Sequence, residues 1–589
     1  SRLKIFATSV QKDLHIVVVK EDEQVLDIIR DVTPEMILEE WVPVDTLTGL
    51  RVSICNSKGK LLLSWEPEPN EIKEVPEPAK AALDPKDIQT TEQLYLTGLH
   101  LEQYRHATYA ATDYYEEALS RDPDDVRNNN AMGLWLIRKG QFAKAEPYLR
   151  RAVKTLTEKN PNPYDGEPLY NLGLSLKYQG KTDEAYDYFY KACWNAAWQD
   201  AGYYSLAQLS ASKGNWEDAL YEIDKSLLRN WHNLRGRHLK AVVLRHLGRV
   251  DEALDLIRES LAIDCFNFGC SFEEYLLTGE KAVLDDLLVR MRSEGHNYEE
   301  LSLDYASAGC WEEALKVVEV AFEVVASERT LLYYYKSWFL LSLDRLKEAE
   351  MAICVAEHQP ADCCFPNTLE AIMALQAVIR FADVAPKAHY YLGNLWYDKR
   401  QYPEAIAEWE KSVEQDDTFP TVLRNLSLAY FNKLDKQQEA VALLERAFKL
   451  DIRDARILME LDQLYKRLNR PHADRLDLLD KLKEVAFSRD DLYLEYVTLL
   501  NQLGRYEEAI RMIDAHRFHP WEGGEGKVPA QYQLARVELV KACLKAGENE
   551  KALDLIEECF IYPHNLGEGK LYGAQENDFN YYKGCALQA

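Results

Sequence analysis

The sequence predicts a mainly α-helical solenoid of about eleven stacked hairpins behind a short β-strand segment. Three observations predict it. Gly173, Ala207 and Ala241 step by 34 residues, and so do Gly180, Gly214 and Gly248, and Ala185, Ala219 and Ala253. Strand-forming residues crowd into residues 1–66, where Leu14 to Val19 is a largely β-branched run. Between strands and helices, Pro67 to Pro85 mixes prolines with acidic residues and reads as an extended linker.

A small residue, a Gly seven later and an Ala five beyond that form the signature of tetratricopeptide repeats. The small residues let two helices of a hairpin approach, and the Gly ends the first helix where an L-residue would be strained. The expected organisation is a β-segment over 1–66, a linker over 67–89 and the solenoid over 90–589. Within 1–66, Val52-Ser53-Ile54, a turn at Asn56 to Gly59 and Lys60 to Leu63 read as a hairpin. So few strand residues suggest the tail of a β-sandwich or a small sheet docked on the solenoid.

The first helical pair spans Thr91 to Ser120, and the next unit carries Gly133, Gly140 and Ala145. An extra loop, Asn160 to Gly166, widens the following step to 40 residues, from Gly133 to Gly173. The rhythm weakens after Asp264 and returns at Gly309/Ala314, Ala349, Gly393/Ala405 and Ser427/Ala440. A degenerate pair over 457–485 precedes two last units at Gly504/Ala509 and Gly547/Ala552. The chain opens on Ser1-Arg2 and stops within a helical pattern, so a piece of a longer protein is expected.

A formal charge of −28 argues against nucleic-acid or anionic-membrane partners. No stretch of 18 apolar residues predicts a membrane span. The eleven cysteines are scattered without metal or redox spacing, and read as thiols of a reducing, cytoplasmic compartment. Neither a cofactor nor a metal is expected. The thirteen histidines are dispersed, and acidic pairs such as Glu217-Asp218 open second helices, where they suit the helix dipole. No catalytic residue is assigned, and the reading leans away from an enzyme for this chain alone.

Two loops break the repeat pattern alike. One holds Trp521, Glu522, Glu525 and Lys527; the other holds Glu568 and Lys570, and both contain Gly-Glu-Gly-Lys. Equivalent loops of adjacent repeats should be neighbours. They are candidates for binding hydroxyls or phosphate, against the plainer reading of turns that bridge repeats. A third candidate combines Asn162, Tyr164 and Asp165 with Trp194, Trp198 and Asp200, an aromatic and polar set suited to a sugar or a docked backbone. Its plainer reading is Trp packing between repeats. Repeat register points Tyr170, Lys177, Tyr204, Gln208, His238, Arg245, Tyr390, Asn394, Tyr397 and Arg424 into the concave groove, a mixture suited to a polar or acidic peptide-like guest.

The run from Asn160 to Pro168, the run from Trp194 to Asp200 and the paired Gly-Glu-Gly-Lys segments resemble an uncharacterised bacterial family. In that family a galactose-mutarotase-like β-sandwich precedes a tetratricopeptide array. The resemblance implies a carbohydrate-related protein and would make residues 1–66 the tail of the β-region. The leading expectation is an interaction scaffold that docks a β-sandwich domain of the same protein or a partner protein. The alternatives are the C-terminal part of a glycoside-processing enzyme whose loops complete a carbohydrate site, and a sugar-phosphate sensor using Lys527 and Lys570.

Overall fold

A computed structural model describes residues 1–34, 36–68, 74–326 and 329–588; residues 69–73 of the expected linker and Ala589 lie outside the described residues. The chain groups into two compact units, Ser1–Gln401 and Tyr402–Ala589.

Six strands open the first unit: β1 (Arg2–Ile5), β2 (Gln11–Lys20), β3 (Glu23–Val32), β4 (Leu38–Trp41), β5 (Leu50–Cys55) and β6 (Leu61–Trp65). Four form an antiparallel sheet in the order β3-β2-β5-β6, and β1 pairs with β4 in a second, two-stranded layer. Alternation along β2 puts Leu14, Ile16 and Val18 on one face. They are buried with Val52 and Ile54 of β5, and Leu3, Ile5 and Leu38 of the small layer pack against them. The β5–β6 turn closes where Asn56 N–H donates to the Lys60 carbonyl at 2.9 Å. One backbone bond, from Val10 N–H to the Ala262 carbonyl (3.3 Å), joins this segment to the helices.

From Thr91 the chain is a solenoid of helical hairpins. The strictly periodic part comprises Glu167–Tyr178 with Thr182–Ala192, Gln199–Ser212 with Trp216–Arg229, and Leu234–His246 with Val250–Ile263. Ala185, Ala219 and Ala253 are fully buried at the crossings. A methyl group on Gly173 would lie 2.7 Å from the Phe189 ring, so the helices meet at a distance only hydrogen permits there. Gly180, Gly214 and Gly248 take φ of +76°, +74° and +71°. That left-handed residue lets Lys181 N–H reach back to the Leu176 carbonyl at 2.9 Å, closing the helix end. The irregular stretch after Asp264 holds a further hairpin, Phe268–Thr278 with Lys281–Met291, and Leu369–Phe381 is a single helix inserted before Pro386–Asp398.

Within the first unit the solenoid closes on itself. Gln208 Nε2 donates to Ser307 Oγ at 2.7 Å, and the Tyr178 hydroxyl donates to Glu370 at 3.1 Å. Gln141 bonds Gln401 at 3.1 Å, and Gly309 lies so close to Ser212 that a methyl group would come 2.7 Å from its Cα.

Where the periodic Gly is missing, Asp344 adopts the same turn at φ +58°. An L-residue in that region costs roughly 1–2 kcal/mol. Asp344→Gly should therefore raise stability by about 1 kcal/mol, and Gly214→Ala should lower it by a similar amount. Denaturant midpoints of the two variants against the parent chain check both signs.

Candidate interaction surfaces

The first helices of successive hairpins face the closed interior of the first unit, and there they line a polar hollow of about 300 Å³. Its lining includes Tyr170, Lys177, Tyr204 and Arg235 together with the carboxylates Glu300, Asp304 and Glu370. Lys177 Nζ donates to Gln208 Oε1 at 2.7 Å, its one hydrogen bond among the described residues. Arg235 reaches Glu300 at 2.7 Å and Asp304 at 3.3 Å. A second hollow of about 160 Å³ shares Arg235, Glu300 and Asp304 and extends to His238. His238 is 4% exposed, and its Nε2 has no hydrogen-bond partner. A methyl group on Gly269 would come 2.3 Å from that imidazole.

Burial sets the protonation here, because charge is poorly hydrated inside the lumen. It pushes Asp304 up to about 7, against the opposing pull of Arg235. It pushes Lys177 down to about 8, against the pull of Glu370, and His238 down to about 3.

The other register-derived positions go elsewhere. Arg245 is held by Glu273 and Glu313, both at 2.7 Å. Glu313 also meets His246 at 3.1 Å, and with Cys310 these form a possible ligand trio. Arg245 already neutralises that carboxylate, and burial pushes the Cys310 thiol up to about 12, so the group is an ion-pair network. Tyr390 is buried and Asn394 half-buried on Pro386–Asp398. In the second unit, Arg424 pairs with Glu460 at 2.6 Å.

Also in the second unit, the two Gly-Glu-Gly-Lys turns lie side by side. Both Glu568 oxygens accept from Gly526 N–H, at 3.0 and 2.9 Å, and Phe518 N–H donates to the Asn565 carbonyl at 2.8 Å. The glycines serve this contact: a methyl group on Gly524 would come 2.3 Å from the Trp521 ring, and one on Gly567 would come 2.6 Å from the Phe518 carbonyl. Lys570 pairs with Glu576 at 2.6 Å, while Lys527 is exposed. Trp521, Glu522, Glu525 and Glu568 line a hollow of about 240 Å³.

The Asn160 loop is pinned by Lys191, which donates to Asn162 at 2.5 Å, and by Asn195, which donates to the Tyr164 carbonyl. Asp165 accepts from Glu167 N–H at 2.9 Å, and Trp198 stacks on Tyr170 at 4.9 Å. The Asp200 carboxylate receives Ser226 at 2.8 Å, Asn230 at 2.8 Å and Asn233 at 3.3 Å. Tyr164 and Trp194 stay exposed, Trp194 under the Lys191 ammonium at 3.9 Å.

The strand segment adds a surface that hydrophobic alternation did not mark. All five residues of β6 are exposed, at an edge of the four-stranded sheet. Leu63 and Trp65 line an apolar groove of about 480 Å³ whose floor is Val18, Val52 and Ile54. The opposite edge, β3, carries Glu23, Asp27, Arg30 and Asp31 and is interrupted by register shifts. Charges and bulges guard a free edge against pairing. β6 shares a register shift where it begins but carries no charge along Leu61 to Trp65.

Sequence comparison matches the tetratricopeptide-repeat family at residues 166–193 and 386–419. The helical region is a tetratricopeptide-repeat solenoid. Residues 1–65 match the second domain of YphG-like protein. Similar solved structures include a tetratricopeptide repeat protein from Parabacteroides merdae, 15% identical over 54% of this chain and 98% of that one, with a TM-score of 0.23. Yeast Tom70 is 14% identical over 72% of this chain and 96% of its own, with a TM-score of 0.20. Among the described residues no helix is long and apolar enough to cross a membrane.

Two outcomes test these geometries. Asp304 binds its proton more tightly folded than unfolded, so its contribution to stability is full below about pH 4 and lost as pH rises through about 7. Asp304→Asn should flatten that decline in a pH series of melting temperatures. Glu568→Ala should lower stability by about 1–2 kcal/mol through the loss of a charged cap. Hydrogen exchange at Gly526 should quicken in that variant while the first unit stays unchanged.

Proposed function

We propose that the chain is an interaction scaffold: a tetratricopeptide solenoid whose N-terminal strands dock a β-rich domain, contributed by the same protein or by a partner. Tetratricopeptide proteins generally bind protein partners, and the repeat matches support that class of role. The observation that carries the finer reading is the β6 edge. Its free backbone groups offer main-chain pairing, and Leu61, Leu63 and Trp65, 45–55% exposed, offer apolar contact beside an open groove. A strand added there would extend the four-stranded sheet and set its own side chains beside Leu61, Leu63 and Trp65. The unlike protection of β3 and β6 favours a committed docking edge over a merely tolerated one.

A carbohydrate role has one supporting feature, the hollow beside Trp521 with the exposed carboxylates Glu522 and Glu525. Such a site would take a single sugar ring, stacked on an indole and hydrogen-bonded to carboxylates. Melting-temperature shifts with monosaccharides that vanish in Glu525→Ala would support this second reading.

For the docking surface, a photo-crosslinking residue at Leu62 in the host cell should capture a peptide from a β-rich domain. Leu63→Asp should reduce that capture at least tenfold. Crosslinks confined to neighbouring residues of the same strand segment would sink the reading.

A further inference from the structure

We propose that the lumen of the first unit binds a small zwitterion, its ammonium facing Glu300, Asp304 and Glu370 and its anionic group facing Lys177. This site is independent of the docking edge on β6. The cations and the carboxylates of the hollow come from different helices. The helices Glu167–Tyr178 and Leu234–His246 bring Lys177 and Arg235, and the helices Gly295–Ser307 and Leu369–Phe381 bring the three carboxylates.

Arg235 neutralises part of the acidic set, through Glu300 and Asp304. Once Asp304 ionises, three carboxylates stand against two cations, and the negative charge left over suits an incoming ammonium. Burial holds Asp304 up near 7, and a bound cation would replace the missing hydration and favour its ionised form. Lys177 spends one donor on Gln208 and has two N–H groups for an anionic oxygen.

His238 lines the adjoining hollow, which shares Arg235, Glu300 and Asp304 with this one. The size is also informative. About 300 Å³ is at the small end of ligand sites and suits an amino acid or a dipeptide, not a helix.

The test uses the full chain with glycine, 4-aminobutyrate and alanyl-glutamine, each beside its N-acetyl and C-amide forms, in isothermal titration and melting assays. At least one free zwitterion should bind with a Kd below ~1 mM and raise the melting temperature. Its N-acetyl and amide forms should each bind at least tenfold more weakly, because each removes one charged contact. Lys177→Met and Asp304→Asn should each weaken the parent at least tenfold with the circular dichroism unchanged. If either variant fails to fold, the blocked forms on the native chain still decide. No zwitterion binding below ~1 mM, a loss smaller than tenfold in either blocked form, or a folded variant that binds as the parent does would overturn the proposal.

Discussion

The distance of closest approach between the two helices of a hairpin governs the helical region. Gly173 against Phe189, Gly133 against Leu149 and the fully buried Ala185, Ala219 and Ala253 set it. Bulk at these points would force the helices apart and change the angle passed to the next hairpin. The left-handed turn at Gly180, Gly214 and Gly248 fixes the other variable, where the second helix starts. With both fixed, each hairpin stacks on the last in the same way, and the first helices converge on a common interior.

That interior is where polar chemistry collects. A solenoid must give its inner face some polar residues, and here Lys177 and Arg235 share one hollow with three carboxylates. The paired Gly-Glu-Gly-Lys turns spend their polar groups differently. Glu568 is committed to Gly526 and Lys570 to Glu576, which leaves Glu522, Glu525 and Lys527 exposed. The β-segment follows a third logic, with one edge guarded by charge and the other left apolar.

Much of the architecture was legible because its signals are local. A period of 34 residues, Gly at each turn and β-branched alternation in β2 can be read along the chain. Repeat register picks out Tyr170, Lys177, Tyr204 and His238, which border the hollows, together with Arg245, Tyr390, Asn394 and Arg424, which do not. The carboxylates of the lumen were not legible, because what faces the first helices is decided by how the solenoid curves. Glu370 sits on a helix outside the repeat rhythm, so register could not place it. Asp304 left a faint mark, standing five residues before Gly309 where the periodic repeats carry Ser175, Leu209 and Val243. Nor could the role of Gly524 be read from sequence, since a Gly beside a ligand and a Gly beneath Trp521 look alike.

The closure of the first unit on itself has a mechanical consequence. An open repeat array behaves as a spring, because each repeat touches only its neighbours and can loosen alone. Here Tyr178 is bonded to Glu370 across 192 residues of chain, and Gln141 to Gln401 across 260. Extending the coil would break these ties together, so the first unit resists stretching as a ring does. Such distant ties also form late, since a long loop must close before they can. Rigidity in this part of the molecule is acquired only when its last helices arrive.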